Sequence, residues 1–110
     1  MQHSDTDMSS EEVTRLIEAE VAGDWDRQNA HGCTIRRCLN EPRKLAFSDP
    51  LNHDIVDLWL VLEEDPETRN GYKVVYDEVN EGFGLASADA DDKLVFLGLY
   101  GGFLDAYDAM

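Results

Sequence analysis

In one segment in the middle of the chain, hydrophobic residues occur at both odd-numbered and even-numbered positions. Between Ile55 and Leu62 the sequence IVDLWLVL has apolar side chains on both parities, interrupted only by Asp57. A strand with one solvent-facing side would alternate more cleanly, so this pattern predicts a strand covered on both faces. We expect Trp59, Leu60 and Leu62 to be buried in it.

Four other short segments have strand character and are separated by turn residues. RKLAFS (43–48) precedes the covered strand, and Pro42 disfavours a helix running up to it. YKVVYDE (72–78) alternates, with Lys73 and Asp77 on a face that we expect to be partly wet. FGLAS (83–87) and LVFLGLY (94–100) follow after turns rich in glycine, asparagine and aspartate. This order predicts an antiparallel meander of four or five strands.

The two ends of the chain carry helical patterns. Ser9 and Glu12 form the S-x-x-E capping box that starts a helix, and apolar residues then recur at helical spacing as far as Val21. With Gly23 as its C-terminal cap, this helix covers about 10–22. A shorter helix is expected after Gly101-Gly102, on a stripe of Phe103, Leu104 and Tyr107.

The predicted fold class is therefore α+β. We expect residues 1–8 to be a disordered leader and 9–110 to be a single domain, with an N-terminal helix, the meander sheet and a short C-terminal helix. Both helices should cover one face of the sheet. Trp59, Tyr72 and Tyr76 are interpreted as core residues, because no basic side chains surround them as they would in a base-stacking platform.

Gly98-x-x-Gly101-Gly102 has the glycines of a phosphate-binding loop but not its context. A dinucleotide-binding loop is followed by a helix and a second strand, whereas only eight residues follow Gly102. A Walker loop needs a lysine, and Lys93 is the last lysine in the sequence. These glycines are interpreted as structural, and no cofactor is expected.

Acidic residues dominate the charge of the chain. It has 24 acids and 9 bases for a formal net charge of −15, and residues 54–110 alone carry 14 acids against 3 bases. Such a field repels nucleic acids and anionic membranes but attracts a basic protein. Solubility or adaptation to a salty cytoplasm would account for the same composition.

His31, Cys33 and Cys38 are the candidates for metal or thiol chemistry. A structural zinc site needs four ligands, which would require the distant His53 or His3. A Cys33 nucleophile would need a histidine base close by. Cys33 and Cys38 could pair, and the sequence leaves this open. Because the polar N-terminus lacks the basic and apolar regions of a signal peptide, we expect a cytoplasmic protein with reduced thiols and no bound metal.

Strand direction in a meander places alternate turns at the same end of the sheet. The loop 63–71 and the turn 89–93 would then share one end, where only Arg69 and Lys93 offset the acids. The predicted partner-binding residues there are Glu63, Glu64, Asp65, Glu67, Asp89, Asp91 and Asp92.

Three stretches, LWLVLEEDPETRNGYKVVYDE, FGLA and YGGFLDAYDAM, resemble a group of short, largely uncharacterised bacterial proteins of the immunity-protein type. The likeness covers roughly residues 42–110 and implies a cytoplasmic protein that neutralises a co-produced toxin by binding it. No site residues are transferred by the resemblance.

The predicted function is a non-enzymatic acidic binding protein, an immunity protein that masks the basic cleft of a cognate toxin. The alternatives are a small hydrolase or metal-dependent enzyme using the His31/Cys33 region, and an interaction module of a larger complex. The sequence leaves the oligomeric state open.

The covered strand gives a first test. We expect Trp59→Ala to lower the free energy of unfolding by about 3–5 kcal/mol, because a large buried side chain is replaced by a cavity. Thermal or urea unfolding measures the change. A variant as stable as the parent would contradict the strand assignment.

Overall fold

The computed structural model describes residues 8–28, 32, 34–51, 54–65, 67, 71–88 and 93–110. Its elements, in chain order, are α1 (Ser10–Val21), α2 (Ile35–Cys38), β1 (Leu39–Asp49), β2 (Asp54–Glu63), β3 (Lys73–Asp77), β4 (Gly82–Ala88), β5 (Leu94–Gly101) and α3 (Phe103–Ala109). The α+β class and the two terminal helices are confirmed. No helix in the described ranges is long and apolar enough to span a bilayer.

The five strands close into a barrel instead of forming an open meander. Neighbours in sequence pair antiparallel from β1 to β5, as predicted. In addition, β1 pairs with β5 in parallel, with Ser48 opposite Val95. Closure gives the sheet an inside, which an open sheet would lack.

Two hydrophobic cores share the same strands. The inner core fills the barrel and contains Phe47, Leu58, Leu60, Val75 and Ala86. The outer core lies between the barrel wall and the helices. Its strand residues include Trp59, Val61, Val74, Tyr76, Phe83 and Leu85, and its helical residues include Val13, Ile17, Val21, Phe103 and Tyr107. Both faces of β2 are thus covered, and the predicted burial of Trp59, Leu60 and Leu62 is confirmed.

The N-terminal helix begins as the sequence predicts. The Ser9 hydroxyl accepts from the Glu12 N–H at 3.2 Å, and the Glu12 carboxylate accepts from the Ser9 N–H at 3.0 Å. The helix ends at Ala22, whose φ of 50° is left-handed, one residue before the predicted cap Gly23. Met8, assigned to the leader by the sequence analysis, packs against the outer core. Residues 1–7 lie outside the described ranges.

Two expectations about the strands are wrong. β1 begins at Leu39 and runs through Pro42, where the register against β2 shifts between Leu39 and Arg43. A proline is tolerated in a strand at such an irregularity. The face of β3 that should have been partly wet is buried, because Lys73 and Asp77 share the inward parity of Val75.

Lys73 is buried inside the barrel because it has an acidic partner there. Its register neighbour across the β2–β3 pair is Glu63, and the Lys73 Nζ lies 3.5 Å from a Glu63 carboxylate oxygen. The other Glu63 oxygen accepts from Asn40 Nδ2 at 2.9 Å. A buried charge is tolerated only when it is paired and hydrogen-bonded in this way.

The glycines singled out by the sequence analysis are structural. Gly98, with φ 143°, lies in β5 where the register against β4 shifts, and Gly101, with φ 107°, ends that strand. Gly102 then precedes α3 as its N-cap.

Close approach of β4 and β5 gives a second test. A Cβ built on Gly84 would lie 2.2 Å from the Gly98 carbonyl oxygen, and this is backbone that cannot move aside locally. We expect Gly84→Ala to lower the free energy of unfolding by about 1–3 kcal/mol through overpacking.

Gly82→Ala is the matched control on the same strand and the same parity. Its nearest neighbours would lie at an ordinary 3.7 Å, so its stability should stay within about 0.5 kcal/mol of the parent. Equal losses in the two variants, measured by urea unfolding, would contradict the role given to this backbone contact.

Candidate functional site

The predicted acidic end is only partly assembled among the described residues. β2 and β4 run in the same direction, so the chain leaves both strands at one end, as expected. Glu63, however, is only 1% exposed and is paired with Lys73 inside the barrel. Its place on an exposed binding surface is therefore wrong. A sequence pattern gives no sign of this burial, because the lysine that permits it lies ten positions later, beyond the loop.

The neighbouring carboxylates of this end have local structural partners. Glu64 is half-buried and accepts from the Tyr72 N–H at 3.0 Å, and Asp65 accepts from the Glu67 N–H at 3.2 Å. Glu67 is exposed, with one oxygen 3.7 Å from an Arg37 nitrogen. Asp89, Asp91 and Asp92 lie outside the described residues. Tyr72, expected in the core, is 41% exposed.

The thiol and histidine candidates are largely outside the described ranges. His31, Cys33, His53 and His3 all fall there, whereas Cys38 is fully buried and disulfide-bonded, so the expectation of a reduced thiol is wrong for Cys38. Its sulfur lies 3.7 Å from the Glu64 carbonyl oxygen. A bonded sulfur has no proton to donate, so we interpret this as a packing contact. Among the described residues no group of three or more metal-ligating side chains occurs.

A different acidic surface is built where α1 faces the β3–β4 turn. A groove of about 480 Å³ lies between them, lined by Leu16, Ala19, Glu20, Tyr76, Glu81, Phe83, Gly101 and Gly102. Leu16 and Ala19 contribute apolar side chains from α1, and Glu81 contributes a carboxylate from the β3–β4 turn. We call this feature the α1 groove.

Glu20 is fixed in the α1 groove by the start of α3. Gly102 has no side chain to cap that helix, and the Glu20 carboxylate accepts instead from the N–H groups of Phe103 (2.8 Å) and Leu104 (3.3 Å). Asp105 accepts from the Gly102 N–H at 3.0 Å. A carboxylate at a helix N-terminus is favoured by both hydrogen bonding and the helix dipole.

The aromatic residues of the α1 groove connect it to the outer core. The rings of Tyr76 and Phe83 have centroids 4.7 Å apart, and Phe83 meets Phe103 edge-on at 5.6 Å. Tyr76 is 5% exposed. Burial raises the pKa of its hydroxyl, and the carboxylates of Glu81, Glu78 and Asp77 raise that pKa further. The residues that line the groove include two carboxylates, Glu20 and Glu81, and no base, so the groove favours a positively charged group.

Beside the α1 groove, a cation is held on the outer wall of the barrel. Lys44 Nζ lies 5.1 Å from the centre of the Trp59 ring and 2.8 Å from a Glu78 oxygen. The same oxygen accepts from Trp59 Nε1 at 2.8 Å. Burial opposes ionisation of Glu78. The hydrogen bonds from Lys44 and Trp59, the charge of Lys44 and a hydrogen bond from the Met8 backbone outweigh it, so the Glu78 pKa lies below its ordinary value.

Comparison of the chain with protein-family models, curated proteins and solved structures finds no match in any of the three. The resemblance to immunity-type proteins therefore stays a prediction.

The lowered pKa of Glu78 gives a pH-dependent test. An acid with a depressed folded pKa contributes stability above its unfolded pKa of about 4.3 and loses it as the pH falls through the folded value. Glu78→Gln retains an acceptor for Trp59 but removes the charge, so we expect a loss of about 1 kcal/mol near pH 7. This difference from the parent should shrink steadily below about pH 4.

The control repeats the comparison in a Lys44→Met background, where Glu78 has lost its cation. There the stability difference caused by Glu78→Gln should depend much less on pH. An identical pH profile in both backgrounds, from urea unfolding between about pH 3 and pH 8, would show that Lys44 is not the cause.

Proposed function

We propose that this chain is a non-enzymatic acidic binding protein that neutralises a basic protein, as an immunity protein neutralises its cognate toxin. The observation that supports this proposal is the pairing of its basic side chains with carboxylates of the same chain. At least five of its nine basic side chains lie within 4.0 Å of carboxylates of the same chain, and these are Arg27, Arg36, Arg37, Lys44 and Lys73. The bases are thus largely engaged within the chain, and the surplus of acids defines the surface.

A surface of this kind favours a particular class of partner. Complementary charge raises the association rate and makes binding sensitive to salt, whereas nucleic acids and anionic membranes are repelled. Masking of a basic cleft needs only such a surface and no reactive group. The sequence resemblance supplies the more specific part of the proposal, namely that the basic partner is a toxin made by the same cell.

The cytoplasmic location belongs to the same proposal. The bonded state of Cys38 counts against it, because disulfides persist mainly in oxidising compartments. Immunity in the cytoplasm therefore requires that the folded chain remain stable after this bond is reduced. The inner core contains no cysteine, so its packing does not involve the bond, whereas Cys38 lies in the outer core.

The proposal predicts that a toxin domain is encoded beside this gene, and co-expression with that domain tests it; a neighbourhood without such a domain would contradict the immunity role. We expect the parent chain to restore growth, and a variant carrying Glu64→Gln, Glu67→Gln, Asp91→Asn and Asp92→Asn to associate with that domain at least about tenfold more slowly at low salt. Stopped-flow association rates at several salt concentrations provide the measurement.

The control removes the same charge from exposed carboxylates elsewhere, at Glu18, Glu41, Asp54 and Asp57. Equal slowing by the two sets would show that only total charge matters and that the acidic end is not the contact. No protection by the parent chain would contradict the proposed function itself.

A further inference from the structure

The hydroxyl of Tyr76 is a buried polar group for which the described part of the fold supplies no partner. Trp59 and Tyr107, two other buried aromatic residues with polar atoms, both use them: Trp59 donates to Glu78, and Tyr107 donates to the Arg27 carbonyl at 2.7 Å. Tyr76 is equally buried, yet its side chain makes ring contacts without a hydrogen bond to the described residues. A phenylalanine at this position would therefore lose no hydrogen bond to the described residues.

The position of Tyr76 suggests what this hydroxyl is for. It lines the α1 groove together with Leu16, Ala19 and Glu81. The Tyr76 oxygen can accept a hydrogen bond as well as donate one, and because the groove is lined by two carboxylates and no base, the occupant favoured there is a cationic donor with an aliphatic stem. Among protein side chains only arginine and lysine combine these features.

The geometry points to the α1 groove as a receptor for an arginine side chain of the basic partner, with its stem against Leu16 and Ala19 and its guanidinium donating to Glu81 and Tyr76. Arginine fits better than lysine because its planar fork donates to two separated acceptors at once. Glu20 adds negative charge, but its oxygens are already engaged by the N–H groups of α3. This inference rests on the proposed function for the identity of the partner, although the groove is tested without it.

The probe is N-acetyl-arginine amide, titrated into the full chain while backbone amide signals are followed by NMR. We expect saturable shifts confined to the groove, at Leu16, Ala19, Gly101 and Gly102. N-acetyl-citrulline amide, which has the same shape without the charge, should bind at least about tenfold more weakly, and N-acetyl-lysine amide several-fold more weakly.

Two variants remove one acceptor each, and a third serves as the matched control. Tyr76→Phe and Glu81→Gln should each weaken arginine binding several-fold. Glu11→Gln removes the same charge from an exposed position of α1 outside the groove and should leave the affinity unchanged. Glu20 is not substituted, because its loss would uncap α3.

Unfolding of Tyr76→Phe separates a binding role from a structural one. Since the hydroxyl has no partner among the described residues, its removal should leave the thermal midpoint unchanged or raise it while arginine affinity falls. A lower midpoint would show that the hydroxyl stabilises the fold and would overturn the inference.

The remaining outcomes are equally decisive. Shifts spread over the acidic surface, equal binding of citrulline or lysine, or no saturation would each overturn the arginine site. Scattered shifts would still leave the charge-based proposed function standing. A groove that binds arginine in a chain that gives no protection against the toxin would refute the function and retain the site.

Discussion

Burial of both faces of β2 and β3 is the constraint on which this structure depends. Leu60 and Val75 point inward and Trp59 and Tyr76 point outward, so neither face of this strand pair can remain in water without exposing large apolar side chains. Closing the barrel covers the inner face. Docking α1 and α3 covers the outer one. Docking of the terminal helices and closure of the sheet therefore have the same cause, which is the removal of large apolar side chains from water.

The two terminal helices reach that outer face together because a carboxylate joins them. Glu20 near the end of α1 accepts from the first N–H groups of α3. A Cβ at Gly102 would lie 2.6 Å from a Glu20 oxygen, so a side chain there would require the Glu20 carboxylate to shift. Arg27, in the segment that follows α1, also contacts α3, through paired hydrogen bonds to Asp108 and through its carbonyl, which accepts from the Tyr107 hydroxyl. The α1 groove follows from this docking, because it is the space left between α1 and the β3–β4 turn.

Local patterns predicted the parts of the fold that local interactions determine. The Ser9–Glu12 box lies within four residues, and the double-sided apolar run of β2 is visible in eight, so both could be read from the sequence. Closure through Ser48 and Val95 joins positions 47 residues apart, and no periodicity encodes it. The same limit explains why the burial of Glu63 and Lys73 was not predicted. The two residues have the composition of surface charges, and only the strand register places them opposite each other inside the barrel. Tyr76 was predicted as core, but the lack of a partner for its hydroxyl among the described residues appears only once those neighbours are placed.

The acidity of the chain has two components that the structure separates. Some carboxylates have structural roles: Glu63 neutralises Lys73, Glu20 caps α3, and Asp77 accepts from the Val79 and Asn80 N–H groups of the β3–β4 turn. Removing any of these carboxylates would lower the free energy of unfolding whether or not a partner is bound. Others lie at exposed positions where they mainly repel one another, and such self-repulsion favours unfolding. The exposed acids therefore do not hold the fold together, and their number is explained by solubility or by what binds outside the chain.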